Sequence, residues 1–328
     1  MVRIDGARYH FHLTAEEQII LPVYKGSTFR GGFGHAFKRV VCVTKGKECN
    51  ECLLKEKCIY IQIFEPPGKS LKGEYPPSAN AVPYIIEPPL EEKRLYQKGD
   101  PVSFTLTLFG NAVNYLPYFI YAFIELGKQK GLGRGIERRR GRFTLNHVNL
   151  IPFNGDPSQR IYSSEDETLI QHPIRPIILD TVPDEGIREI TINFITPTKF
   201  IYKGKVLPEK RLSFEIFMKN LFRRISNLVM FHGGEFLRPD AIRALLRQSE
   251  DIKVKENRLI FKPWTRYSNR QGRKIDLHGF TGSISFEGEI TPFFPYIHIG
   301  QLTHVGKSTT MGMGRYEMLL CRVQEGKV

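Results

Sequence analysis

One plan of secondary structure, run through twice, constrains this chain more than any other feature. In the first half, Ala7–Leu13 and Gln18–Pro22 read as strands and Phe29–Val41 as a helix. Val82–Glu87 and Val102–Phe109 are strand-like, Val113–Lys128 suits a second helix, and Arg142–Leu150 closes the pass. The order then returns: strand Arg188–Ile195, helix Ser213–Phe231, a helical Asp240–Gln248, strands Arg258–Phe261 and Phe280–Glu287, a short helix Phe293–Leu302 and strand Tyr316–Val323. Within Ser213–Phe231, Phe214, Phe217, Leu221, Ile225 and Leu228 recur on one helical face, and Gly233 supplies the stop. Each half is thus βαββαβ, and the expected fold is α+β, two tandem ferredoxin-like (RRM-like) domains. The expected boundaries are 1–153 for the first domain, with a cysteine-bearing insertion at 42–58, a polar and Pro-rich linker at 154–185, and 186–328 for the second.

The 328 residues suffice for two cores, and a 41% hydrophobic share excludes wholesale disorder. No stretch approaches the roughly 20 apolar residues of a membrane span, and the N-terminus lacks the apolar segment of a signal peptide. The expectation is a cytoplasmic protein with no membrane partner. A net charge of +14 favours a polyanionic partner, because each neutralised phosphate releases counterions.

The charge is concentrated where each pass turns into its last strand. His304 through Arg315 holds Gly306, Gly312 and Gly314, the cations Lys307 and Arg315, and the hydroxyls of Ser308, Thr309 and Thr310. Such glycines let backbone amides approach an anion, while the side chains add charge and hydrogen bonds. Gly306-Lys307-Ser308 imitates a nucleotide-binding P-loop. That motif needs four residues between its glycines and a helix after them, whereas Gly300 and Gly306 have five residues between them and a Gly-rich turn follows. In the first half, Lys128–Arg142 carries seven basic residues, among them Arg134, Arg138, Arg139 and Arg140, against the single acid Glu137. A third basic segment, Arg258–Lys274, interleaves Arg266 and Arg270 with Phe261, Trp264 and Tyr267, a pattern suited to single-stranded RNA whose bases stack and whose phosphates need neutralising.

Cys42, Cys49, Cys52 and Cys58 follow C-x6-C-x2-C-x5-C. Four thiols so close in a cytoplasmic chain suit one tetrahedral metal, either a structural Zn²⁺ or a [4Fe–4S] cluster, closed and non-catalytic because cysteine fills every position. His35 lies in Phe29-Arg30-Gly31-Gly32-Phe33-Gly34-His35-Ala36-Phe37-Lys38-Arg39. On a helix it shares a face with Lys38 and Arg39, a neighbourhood suited to proton transfer at a phosphate. His304 is the second histidine of interest, and no paired carboxylates are set for a two-metal nuclease.

Together these segments resemble the CRISPR-associated endoribonucleases that process precursor CRISPR RNA, within the repeat-associated mysterious protein (RAMP) superfamily. The resemblance runs nearly the length of the chain. It is carried by Phe29–Gly34, the cysteine cluster with Phe64-Glu65, Tyr84–Pro88, Gly131-Leu132-Gly133-Arg134-Gly135, Arg266–Gln271 and His304–Tyr316. The C-terminal loop is its most specific mark, and the four-Cys insertion narrows it to one branch. The resemblance implies cleavage within CRISPR repeats without metal, by attack of a 2′-hydroxyl that leaves 2′,3′-cyclic phosphate and 5′-hydroxyl ends. It implies His35 as general acid or base, Lys38 as cation and Tyr24 as a third partner. RNA contacts are expected from Arg30, Arg134, Arg138, Arg139, Arg140, Arg266, Arg270, His304, Lys307, Ser308, Thr309 and Arg315. The rival expectation is a non-catalytic RAMP subunit that holds RNA beside other CRISPR effector subunits.

Overall fold

The computed structural model describes residues 2–45, 48–66, 81–135, 139–153, 155–178, 186–268 and 273–320. The chain divides into two compact units, one of residues 4–177 with 230–234, the other of residues 1–3, 178–229 and 235–328.

The first unit begins with β1 (Arg3–Ala15), β2 (Ile19–Ile20), α1 (Gly26–Val41) and α2 (Ile59–Phe64). It continues with β3 (Tyr84–Glu87), β4 (Leu95–Tyr96), β5 (Pro101–Phe109), α3 (Leu116–Glu125), β6 (Phe143–Ile151), β7 (Gln159–Ser163) and β8 (Arg175–Ile178). The main sheet runs β3-β5-β1-β6-β7, and the pairs along it are antiparallel. Alternation along β1 sends Tyr9, Phe11 and Leu13 into the core and leaves Arg8, His10 and His12 half-buried on the other face. The helical period does the same for α1, where Phe29, Phe33, Ala36 and Phe37 are buried and His35 and Arg39 are exposed. Phe33 stacks on Phe119 (4.9 Å between ring centroids) and Phe123 (5.2 Å) of α3. A Cβ at Gly34 would lie 2.7 Å from the Phe64 ring, so the absent side chain is what lets α2 sit against α1.

The second unit repeats the arrangement. It holds β9 (Glu189–Thr198), the small hairpin β10 (Ile201–Tyr202) and β11 (Lys205–Val206), α4 (Phe214–His232), β12 (Gly234–Glu235) and α5 (Pro239–Gln248). After these come β13 (Lys253–Lys262), the hairpin β14 (Thr265–Ser268) and β15 (Arg273–Asp276), β16 (Gly279–Glu287), α6 (Phe294–Thr303) and β17 (Tyr316–Leu320). The sheet order is β13-β16-β9-β17. Phe217 of α4 packs edge-on against Phe194 of β9 and Tyr316 of β17, which joins the longest helix to the sheet centre. In both units the first strand lies between the third and the fourth, and the second strand forms the edge, which makes them tandem ferredoxin-like domains.

The segment 154–185, expected as a linker, contains structure of the first domain. β7 pairs with β6 and β8 pairs with β1, with Ile161, Tyr162 and Ile177 buried. Its Pro and polar residues mask three short apolar anchors, each sufficient to hold a strand at a sheet edge. Among the described residues no helix is long and apolar enough to cross a membrane.

Candidate active site and nucleic-acid interface

His35 stands exposed on the outer face of α1. Its pKa is lowered by partial burial first and then by the surrounding cations Arg140, Arg30, Arg39 and Lys130. The imidazole is therefore neutral at neutral pH, in a field that favours an incoming phosphate. Arg30 and Arg39 come from the helix itself, whereas Arg140 and Lys130 come from the loop that follows α3. Gly32 explains the closeness of that loop, because Leu126 and Leu132 pack where its side chain would be. Arg30 lies over the Phe64 ring at 4.8 Å, and Arg39 donates to Gln129 Oε1 at 2.8 Å.

The Lys38 ammonium faces the cysteine segment. It lies 5.4 Å from the Tyr60 ring centroid, and a hydrogen bond with Cys49 raises its pKa. The cations that act on His35 are thus largely different from the one expected, because Lys38, one position before Arg39, lies on the other side of His35 around the helix and faces Tyr60 of α2. Tyr24 precedes α1, whose rise separates Gly26 from His35 by about 14 Å along the helix axis.

The basic loop of the first domain is stitched to β2. Ile20 and Arg134 exchange backbone hydrogen bonds of 2.6 and 2.9 Å, and Leu132 and Gly141 exchange bonds of 2.9 and 3.1 Å. Arg134, Arg139 and Arg140 are exposed on this frame. Arg142 is committed to Glu17 in an ion pair of 2.7 Å. Arg138 and Arg270 lie outside the described residues, and Arg266 falls on β14.

The C-terminal loop is fastened to the end of β9. Thr196 is the clamp: its hydroxyl donates to Gly312 O (2.8 Å) and accepts from Arg315 N (2.9 Å). Lys307 N donates to Lys199 O (3.0 Å), and Gly314 N to Pro197 O (3.2 Å). A Cβ at Gly306 would lie 2.6 Å from Lys199 O, and one at Gly314 would lie 1.8 Å from Val305 O. These glycines therefore permit close backbone packing within the protein itself. Lys307 is exposed, and packing around its stem followed by the Arg223 guanidinium lowers its pKa. Ser308 is half-buried with φ +62°, and Arg315 is half-buried with Glu317 at 3.7 Å. Two expected RNA contacts are corrected here. His304 is fully buried and its Nδ1 donates to Met313 O at 3.0 Å, so it braces the loop from within. Thr309 is buried as well, with 6% of its surface exposed.

The four cysteines are half-buried and not in disulfides. Thr44 Oγ1 lies 3.9 Å from Cys42 Sγ and 3.6 Å from Cys52 Sγ. Among the described residues no three Cys, His, Asp or Glu side chains meet as a metal-ligating group, so this arrangement does not itself present the tetrahedral centre that the spacing suggests.

Two features escaped the sequence reading. His12 of β1 stacks on His147 of β6 (4.1 Å, 20°), and His10 lies 4.4 Å from His12. Burial, then the neighbouring His10 and His147, push the His12 pKa down to about 4. Alternation places His10 and His12 on one face, but only the β1–β6 register brings His147 to them. Lys25 is fully buried at the start of α1, where its Nζ donates to Glu91 O at 2.5 Å. A lone lysine before a helix carries no sequence signal of burial.

A family model for an N-terminal domain (AF_1859_N) matches residues 4–174. The model for the CRISPR-associated endoribonuclease Cas6 matches residues 192–316. An uncharacterized protein of Archaeoglobus fulgidus is 26% identical over 182 residues, which span 55% of this chain and 57% of that protein's length. Among solved structures, a Cas6 product complex aligns over 96% of this chain and 99% of its own, with a TM-score of 0.55 and 19% identity. Thermus thermophilus Cas6 aligns over the same shares, with a TM-score of 0.54 and 17% identity. A partial Cas6-RT-Cas1–Cas2 complex aligns over 97% of this chain and 46% of that chain, with a TM-score of 0.56 and 12% identity. The structural likenesses establish the fold; the AF_1859_N model, which spans just over half of the chain, places it in that model's family, and residues 192–316 match the model of the CRISPR-associated endoribonuclease Cas6.

Proposed function

We propose that this protein cuts precursor CRISPR RNA within its repeats, by transesterification and without a catalytic metal. The observation that carries the reading is His35, exposed on α1, with a pKa held down by partial burial and then by Arg140, Arg30, Arg39 and Lys130. His35 takes the proton of a ribose 2′-hydroxyl, the oxygen attacks the adjacent phosphorus, and the P–O5′ bond breaks. The departing 5′-oxygen takes a proton from water, to which the His35 imidazolium returns its own, and a 2′,3′-cyclic phosphate and a 5′-hydroxyl result. The pentacoordinate phosphorane gains negative charge, which Arg140, Arg39 and Lys130 are placed to offset. The exposed Arg134 and Arg139 of the first domain, and Lys307 of the second, serve the RNA backbone, contacts that position RNA without reading its sequence.

The test is cleavage of a CRISPR repeat RNA in EDTA with product ends mapped. Wild type should cut and leave a cyclic phosphate, while His35→Ala should lose cleavage by about 100- to 10,000-fold and keep its RNA affinity. Because the His35 pKa is lowered, kcat/KM should reach its acid-side plateau below the usual imidazole range. A wild-type protein that binds the repeat and never cuts it would leave only an RNA-holding role.

A further inference from the structure

We propose that the second domain carries a pocket for one unpaired nucleobase, walled by Phe261 and His278 and sharing Lys199 with the Gly-rich loop. The proposal rests on the RNA reading above and deepens it. A cavity of about 220 Å³ opens at the end of the sheet, where β9, β13 and β16 meet the β10–β11 hairpin. Lys199, Leu207, Glu209, Phe261, His278 and Phe280 contribute to its lining. A cavity of this size has room for an aromatic ring system.

Phe261 is 49% exposed, an uncommon position for a large aromatic side chain on a strand. Its ring is 5.5 Å from that of His278, tilted by 41°. A planar base laid against this ring pair from the cavity side would find the exposed Phe261 ring to stack on and an imidazole edge beside it. Burial first, and then Lys199, lower the His278 pKa, so the ring is neutral and offers one donor and one acceptor to a base edge. Across the cavity, Glu209 belongs to the segment leading from the hairpin, and its carbonyl accepts from Asn257 Nδ2 at 3.1 Å, which ties that wall to β13.

The connection to the Gly-rich loop gives the pocket its occupant. The Lys199 carbonyl accepts from Lys307 N at 3.0 Å, and the backbone of Gly306 passes directly over that carbonyl. The Lys199 side chain lines the cavity and its Nζ reaches Asp276 O at 3.4 Å. One residue thus forms part of both the phosphate-facing loop and the cavity wall. A strand whose phosphate rests against Lys307 brings its neighbouring base to the mouth of the pocket. Base stacking combined with backbone neutralisation is the general mode of single-strand recognition.

The test uses the full chain and a CRISPR repeat RNA, with an abasic site placed at each unpaired position in turn. One position should weaken wild-type binding by about five- to 150-fold, the range that loss of one stacked base produces. Phe261→Ala should weaken binding of the intact RNA by the same factor, and should then be insensitive to the abasic site at that position. Phe261→Trp should retain affinity. The abasic scan needs no variant, so it stands even if Phe261→Ala folds poorly. If repeat RNA binds and neither the scan nor Phe261→Ala changes its affinity, the pocket is overturned and the RNA reading survives. If wild type binds no repeat RNA at all, both fall.

Discussion

The same substitution should have opposite consequences at two glycines of this chain, one in the C-terminal loop and one in the first helix. Gly314 has φ +76°, and a Cβ there would stand 1.8 Å from the Val305 carbonyl oxygen. Placing an L side chain in that left-handed conformation costs about 1–2 kcal/mol. The clash adds to this because its partner is backbone: Val305 N donates to Gly314 O (3.0 Å) and Gly314 N to Pro197 O (3.2 Å), so relief must break at least one of these bonds. Each contributes about 0.5–1.5 kcal/mol net, so with one bond lost the expected cost of Gly314→Ala is about 1.5–3.5 kcal/mol. Gly31 differs in every respect. It lies inside α1, and no heavy atom comes within 4 Å of a Cβ built there. Gly31→Ala removes a helix-propensity deficit and should stabilise by about 0.4–1 kcal/mol. Urea denaturation with peptide-resolved hydrogen exchange reads the two domains separately. Gly314→Ala should lower protection in β9 and β17 and weaken RNA binding, while Gly31→Ala raises protection in α1. A Gly314→Ala protein with stability and RNA affinity both unchanged would refute the reasoning, as would a Gly31→Ala protein destabilised to a similar degree.

Further outcomes follow from the charges and the histidines. Lys307→Ala should weaken RNA binding about equally for all sequences and reduce the slope of log K against log salt by about 1; an unchanged slope would remove Lys307 from the phosphate contacts. The His12 pKa is about 4 in the fold against 6.5 for the free side chain, so the unfolded state binds the extra proton as pH falls. That contribution is intact above pH 6.5 and is lost toward pH 4, by about 1 kcal/mol after allowing for solvent screening at this part-exposed site. His12→Phe should flatten the dependence of Tm on pH across that window, and an undiminished acid loss would assign it elsewhere. We further propose that the cysteine segment takes up a structural Zn²⁺, with Cys42, Cys49, Cys52 and Cys58 drawn together on loading. Elemental analysis should find about one zinc per chain, and chelation should lower Tm while repeat cleavage by chain that stays folded persists. Iron with a brown colour would replace zinc by a cluster.

Both ferredoxin-like passes are legible in the sequence because their signals are local. Alternation along β1 and β9 and the helical recurrence of Phe29, Phe33 and Phe37, and of Phe214, Phe217 and Leu221, state which face is inward before any contact is known. The exposure of His35 and Arg39 follows from the same period. The weaker anchors of β7 and β8 were not legible, since three apolar residues among prolines give no period to read. The tertiary structure alone decided which groups meet. Arg140 and Lys130 reach His35 because Gly32 lets the loop after α3 close on α1, and Lys38 leaves that group for Cys49 and Tyr60. Burial is also a tertiary quantity: the motif at His304–Arg315 does not say that His304 and Thr309 face inward while Lys307 faces out. Sequence period fixes direction relative to one element, whereas the neighbours of a site come from elements far apart in the chain, brought to hydrogen-bonding distance by strand register and by glycines with no side chain to keep them away.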